Sequence, residues 1–131
     1  MGSDITTLLA VEAFILEHAR NLRNMKVLLD VDVASIFNVS QEELYNAVKK
    51  NRKRFPPDFM FQLNAEEKKE LLLSGKKIFA FSQMGIMMLG GQLKSSRAIK
   101  THMQLIELFV GSMPNKVFDI LSGLQNQNKE K

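Results

Sequence analysis

Lys49, Lys50, Arg52, Lys53 and Arg54 put five cations into six consecutive positions, and Phe-Pro-Pro-Asp-Phe (55–59) follows at once. Clustered ammonium and guanidinium groups neutralise phosphates, and a rigid turn behind them would hold them in one register on a polyanion. Tyr45 and Asn46 come just before: a phenol can hydrogen-bond a phosphate, and an amide can pair bidentately with adenine. Gln41 opens the same segment, and Lys76 and Lys77 form a second, smaller cationic pair. A second reading stays open. Acids early in a helix (Glu42, Glu43) and cations at its end complement the helix dipole, so a solvated helix end has the same composition. Five cations in six positions exceed that need, and their mutual repulsion is relieved if an anion sits among them. Asn46 and Tyr45 equally suit exposed polar positions.

These residues need elements to hold them. Ser40 with Glu43 three positions on is a capping-box pattern, and it starts a helix to about Asn51. Leu44, Ala47, Val48 and Asn51 fall on one stripe; Tyr45, Asn46, Lys49, Arg52 and Lys53 fall on the other. A short helix, Val31–Phe37, precedes it, capped by Asp30 or Asp32, with Asn38-Val39 as the turn. Two short helices joined by a tight turn form a helix-turn-helix-like unit. Pro56-Pro57 ends the second helix. Phe59, Phe61 and Leu63 alternate with Met60 and Gln62, which predicts a strand with one apolar face. Asn64 and Glu67 predict a capped helix over 65–73, and Ile78–Phe81 a partner strand that closes a hairpin-like sheet around it.

Upstream, residues 5–22 read as one amphipathic helix, Asn24 as its break and Lys26–Leu29 as a short strand. Downstream, Ser82 caps a methionine-rich helix that stops at Gly90-Gly91. Ser95 or Ser96 caps a longer helix to about Ser112, Pro114 breaks it, and Asn115–Leu124 forms a last helix. The five phenylalanines at 55, 59, 61, 79 and 81 suit strand faces better than a stacking platform. Met84, Met87 and Met88 suit core or a subunit interface. Lys94, Arg97 and Lys100 read as a solvated face before a second phosphate clamp.

The 131 residues fit one domain, placed at 4–124, with a flexible tail at 125–131. Met1-Gly2-Ser3 reads as an appended leader. Residues 1–48 carry three cations (Arg20, Arg23, Lys26) against seven acids, so the net charge of +4 comes from the later clusters. That asymmetry points to a polyanion partner. No apolar run reaches the ~18 residues that cross a bilayer, and Asp4 and Glu12 stand where a secretory signal would be apolar. With no cysteine, the expected compartment is the cytoplasm. Cysteine chemistry is excluded, and His18 and His102 each lack a second ligand at metal spacing. No nucleophile elbow, phosphate loop or carboxylate cluster for Mg²⁺ stands in the chain, so neither an enzyme nor a cofactor is expected.

Several ordered blocks resemble the KilA-N superfamily, in particular its ORF-six-N branch of phage and bacterial DNA-binding domains. They are VLLDVDVASIFNV, LYNAVKKNRKRFPPDFMFQL, FAFSQMGIMML and SSRAI, within roughly Ala10–Gly111. Asn46–Asn51 and Phe55–Phe59 are the most specific pieces. The resemblance implies a compact α+β fold and DNA binding in phage or mobile-element biology. The expected function is that of a sequence-specific or semi-specific double-stranded DNA-binding protein of phage, prophage or mobile-element origin, a transcriptional regulator or antirepressor. One departure stands out. Relatives carry a longer Gly/Arg/Ser-rich segment where this chain has only Ser74-Gly75-Lys76-Lys77.

The expected fold is thus α+β, mostly helical, with the helix-turn-helix-like unit, a small antiparallel sheet and C-terminal helices. The expected DNA contacts are Gln41, Tyr45, Asn46, Lys49, Lys50, Arg52, Lys53, Arg54, Lys76 and Lys77. A homodimer would set two basic helices on one duplex. The alternative is an interaction module whose Met/Leu-rich C-terminal half binds a host protein.

Overall fold

The computed structural model describes residues 5–75, 77–110 and 121–123. The fold is α+β. Helix α1 (Ile5–His18) leads into a hairpin of β1 (Arg20–Leu22) and β2 (Met25–Leu29). Helices α2 (Asp30–Phe37) and α3 (Gln41–Lys50) follow. A 3-10 turn (Arg52–Arg54), strand β3 (Met60–Gln62) and helix α4 (Ala65–Glu70) come next. Strand β4 (Phe79–Ser82), α5 (Gln83–Gly90) and α6 (Ser96–Val110) complete the described elements. The four strands form one antiparallel sheet in the order β1-β2-β4-β3.

The first helix is shorter than its apolar spacing predicts. It stops at His18, and Arg20–Leu22 leaves it to pair with β2, Leu22 opposite Met25. Arg23 and Asn24 (φ 51° and 61°) make the two-residue turn in the left-handed region that a tight hairpin requires. Arg-Asn lacks the glycine that marks such turns. Here distant partners hold Arg23: its guanidinium donates to both oxygens of Glu67, at 3.0 Å each, and to the Gln62 carbonyl at 3.1 Å. It also lies 3.8 Å over the Phe61 ring.

The sheet is covered on both faces. Leu28, Phe81 and Met60, aligned across three strands, point into the main core with Val33, Phe37, Leu44, Val48, Ile86, Leu89 and Leu105 from the helices. Val27, Leu29, Phe61 and Ala80 point the other way, under Leu63, Leu71 and Leu73. Strand β3 therefore has two buried faces, where the alternation around Phe61 predicts one. Met60 and Phe61 are both buried because the α4 segment closes the second face. Helix α4 itself ends at Glu70, short of the predicted 73, and Leu72 turns left-handed (φ 56°).

Helix ends follow local chemistry. Asn38 takes the left-handed cap of α2 (φ 55°), and Val39 N–H donates back to the Ala34 carbonyl at 3.0 Å. Ser40 Oγ accepts from Glu43 N–H at 3.0 Å, which is the serine half of the predicted box. Asn64 and Glu67 form the complete box. Ser82 caps α5 and Ser95, rather than Ser96, caps α6. Helix α5 ends at Gly90, as the Gly90-Gly91 pair predicts, with Gly91 right-handed (φ −69°, ψ −14°). Gly90 also serves close helix packing: a Cβ there would lie 2.2 Å from His102 Cδ2. His102 in turn donates from Nε2 to the Met87 carbonyl at 2.9 Å. The break at Pro114, the helix Asn115–Leu124 beyond residues 121–123, and the tail at 125–131 lie outside the described residues.

Candidate nucleic-acid interface

Helix α3 is buried along Leu44 and Val48 and half-buried at Ala47, so its opposite side forms a surface ridge. Lys49 and Lys50 occupy its last turn, and the chain continues as the 3-10 turn carrying Arg52, Lys53 and Arg54. All five cations are exposed. The ion pair between Arg23 and Glu67 involves none of these groups, and no acidic side chain among the described residues pairs with them. Their charge is thus left to solvent or to a ligand.

The basic turn is anchored from below. Asn51 Nδ2 donates to the Ala47 carbonyl at 2.9 Å and closes the end of α3. Arg54 N–H donates to the Asn51 carbonyl and Phe55 N–H to that of Arg52. Phe55 is buried edge-to-face against Phe81, with ring centroids 6.4 Å apart. The Pro56 carbonyl accepts from the N–H groups of Phe59 (2.8 Å) and Met60 (3.0 Å), which folds the Phe-Pro-Pro-Asp-Phe turn tightly. The order of these elements explains why the cations stay together: a capped helix, a 3-10 turn and a proline turn leave no slack segment between them.

A groove runs along each flank of the ridge. One, of about 220 Å³, is lined by Tyr45, Lys49, Arg52, Lys77 and Phe79 among others. Gln41, Tyr45, Lys77 and Ile78 line its continuation toward the start of α3. The other groove, of about 500 Å³, is lined by Glu43, Asn46, Lys50, Asn51, Gln92 and Lys94. The fold therefore brings Gln41, Lys49, Arg52 and Lys77 to one side, and Asn46 and Lys50 to the other. Lys53 and Arg54 extend the basic surface past the helix end. Lys76 lies outside the described residues.

Two sequence readings change. Tyr45 was placed on the outward face, yet it is half-buried and its hydroxyl donates to Asp30 Oδ2. Burial, then the bond to Asp30 and its charge, push the phenol well above its ordinary pKa. It is a fixed donor inside the fold, packed edge-to-face on Phe79. Asp30 was read as a simple cap. It is 2% exposed and its carboxylate accepts from Val31 N–H (2.8 Å), Phe79 N–H (3.0 Å) and Tyr45. One carboxylate thus ties α2, α3 and β4 together. Lys94 is exposed, in keeping with the solvated-face reading, and it also lines the second groove with Lys50 and Asn46. The signal for it was present in the spacing of Lys94, Arg97 and Lys100, but only tertiary packing puts Lys94 beside α3.

A helix-turn-helix-like pair packed on a small antiparallel sheet, with a cationic ridge between two grooves, defines an α+β module with an exposed basic surface. The family model of the ORF6N domain matches residues 17–91, more than half of the chain, and the chain belongs to that KilA-N-related family. The family is associated with phage proteins and DNA binding and is not known to be catalytic. Curated proteins and solved structures returned no match. The matched span runs from the end of α1 to the end of α5, so α6 and most of α1 fall outside it. No helix among the described residues is long and apolar enough to cross a membrane.

Proposed function

We propose that this chain binds double-stranded DNA, with α3 entering the major groove and the flanking cations on the phosphates of both strands. The observation that carries this is the set of five exposed cations at Lys49–Arg54, held on a rigid turn and without an acidic partner among the described residues. Lys49, Arg52 and Lys77 serve one strand, and Lys50 with Lys94 serves the other; Lys53 and Arg54 extend the contact along the backbone. Lys76, beside Lys77 in the chain, belongs to the same proposal. Gln41 and Asn46 lie where side chains reach base edges. Tyr45 supports the helix from beneath. The setting is a bacterial or phage-infected cytoplasm, and the role a phage or prophage regulator or antirepressor, built as one domain over residues 4–124.

Fluorescence titration with duplex DNA at several salt concentrations tests this. Lys53→Ala should weaken binding across unrelated sequences and flatten the slope of log K against log salt by about 1. Asn46→Ala should relax discrimination at one base pair by about 1–3 kcal/mol while leaving that slope unchanged. A wild-type affinity that does not respond to salt removes the proposal. The protein-partner reading rests on the short 74–77 segment and on exposed apolar residues such as Met84. A partner that survives nuclease treatment, from a chain that shows no salt-dependent binding, would favour it.

A further inference from the structure

The first turn of α3 holds a carboxylate that the fold leaves unused. Ser40 Oγ accepts from Glu43 N–H at 3.0 Å, just as Asn64 Oδ1 accepts from Glu67 N–H at 2.8 Å. There the two caps part. Glu67 reaches back to Asn64 N–H at 2.9 Å and pairs with Arg23. The Glu43 carboxylate is exposed, and among the described residues it accepts no hydrogen bond and meets no cation at ion-pair distance. Helical periodicity sends it to a definite place. Glu43, Asn46 and Lys50 follow one another along one wall of the groove that Lys94 borders. Acid, amide and cation therefore stand in that order along α3. At about 1.5 Å of rise per residue, Lys50 lies about 10 Å beyond Glu43, roughly one Debye length, so a phosphate held by Lys50 is screened from the carboxylate. Asn46 lies about 4.5 Å beyond Glu43, close to the roughly 3.4 Å step between stacked bases.

Chemistry limits what this carboxylate can do. It only accepts hydrogen bonds, and phosphate repels it. The donors that a duplex shows in its major groove are exocyclic amines, N4 of cytosine and N6 of adenine. Adenine sets its N7 acceptor beside the amine, which suits an amide such as Asn46 and opposes a carboxylate. Cytosine shows its amine with no acceptor on the same base. The early residues of a helix in the major groove are the ones that reach base edges. We propose that Glu43 is a specificity-determining residue whose carboxylate accepts from the N4 amine of a cytosine, one base pair from the pair that Asn46 reads. This rests on the placing of α3 in the major groove proposed above.

Selection of bound duplexes from a random pool by the full chain, at two salt concentrations, is the test. Wild type should select a cytosine beside the position whose preference Asn46→Ala relaxes. Glu43→Gln should weaken that cytosine preference about tenfold and keep the wild-type salt dependence. Glu42→Gln removes the same charge from a neighbour that does not line the groove, and it should leave the preference intact. In the selected site, a cytosine analogue without its amine should cost wild type about the same tenfold and cost Glu43→Gln little. A preference unchanged in Glu43→Gln, or relaxed as much by Glu42→Gln, overturns the proposal and leaves duplex binding by α3 in place. Wild-type binding that ignores salt removes the reading beneath it, and this inference with it.

Discussion

Asp30 shows how much of this molecule depends on one carboxylate. A buried charge is costly unless its hydrogen bonds are made, and here three donors converge on it from α2, α3 and β4. Removing the Tyr45 hydroxyl leaves the carboxylate with two of its donors. Tyr45→Phe should therefore cost about 1.5 kcal/mol in urea unfolding, as expected for a hydrogen bond to a charged acceptor. With the phenol turned inward, the same variant should bind DNA within a factor of about two of wild type wherever both are folded. A larger loss of affinity would mean that the hydroxyl leaves Asp30 to reach a phosphate. Glycine matters at the same scale. A Cβ on Gly85 would lie 1.9 Å from the Phe59 carbonyl oxygen, so α5 can rest on the end of the proline turn only without a side chain there.

At the scale of elements, the β1–β2 hairpin and α4 are joined through Arg23 and Glu67. The bond from Arg23 holds the Glu67 carboxyl below the usual carboxylate range, against the effect of burial, with the Asn64 N–H and the charge of Arg23 adding to it. A carboxylate whose pKa is depressed by folding stabilises the native state at pH values above its unfolded pKa, about 4.3. That contribution is lost as pH falls through the lower native value. Thermal midpoints measured from neutral pH downward should thus fall less steeply in that acid window for Glu67→Gln than for wild type. At neutral pH the variant should lose no more than about 1 kcal/mol, because Arg23 is substantially exposed. The hairpin also explains why α1 was read too long. Helical spacing runs on through Leu22, and Asn24, a residue that tolerates the left-handed region, marks the break locally; nothing local signals that Arg23 will turn left-handed with it, since the guanidinium's partners lie about forty residues later.

For the whole molecule, the matched family span ends with α5, and α6 lies beyond it, packed on the shared core. Unfolding of a dimer is linked to its concentration by mass action. For the homodimer expected from the sequence, the thermal midpoint of wild type should rise with protein concentration. A wild-type midpoint independent of concentration would count against self-association under those conditions. A two-fold assembly would present two α3 ridges, and the spacing of operator half-sites would then report the arrangement directly.

What the sequence alone determined is what rests on short reach: the caps at Ser40, Asn64 and Ser82, the α2–α3 unit, and the run of cations at the end of α3. Each needs only residues three or four positions apart, so hydrogen-bond and charge patterns within one turn are enough to read it. Tertiary structure alone decided the inward turn of Tyr45, the hub at Asp30, the two buried faces of β3 and the placing of Lys94 beside Lys50. Those depend on partners 15 to 49 residues away for Asp30, and on which sheet face each neighbour covers. Such distant pairings are selected by the packing of the whole core, and no local pattern in the chain carries them.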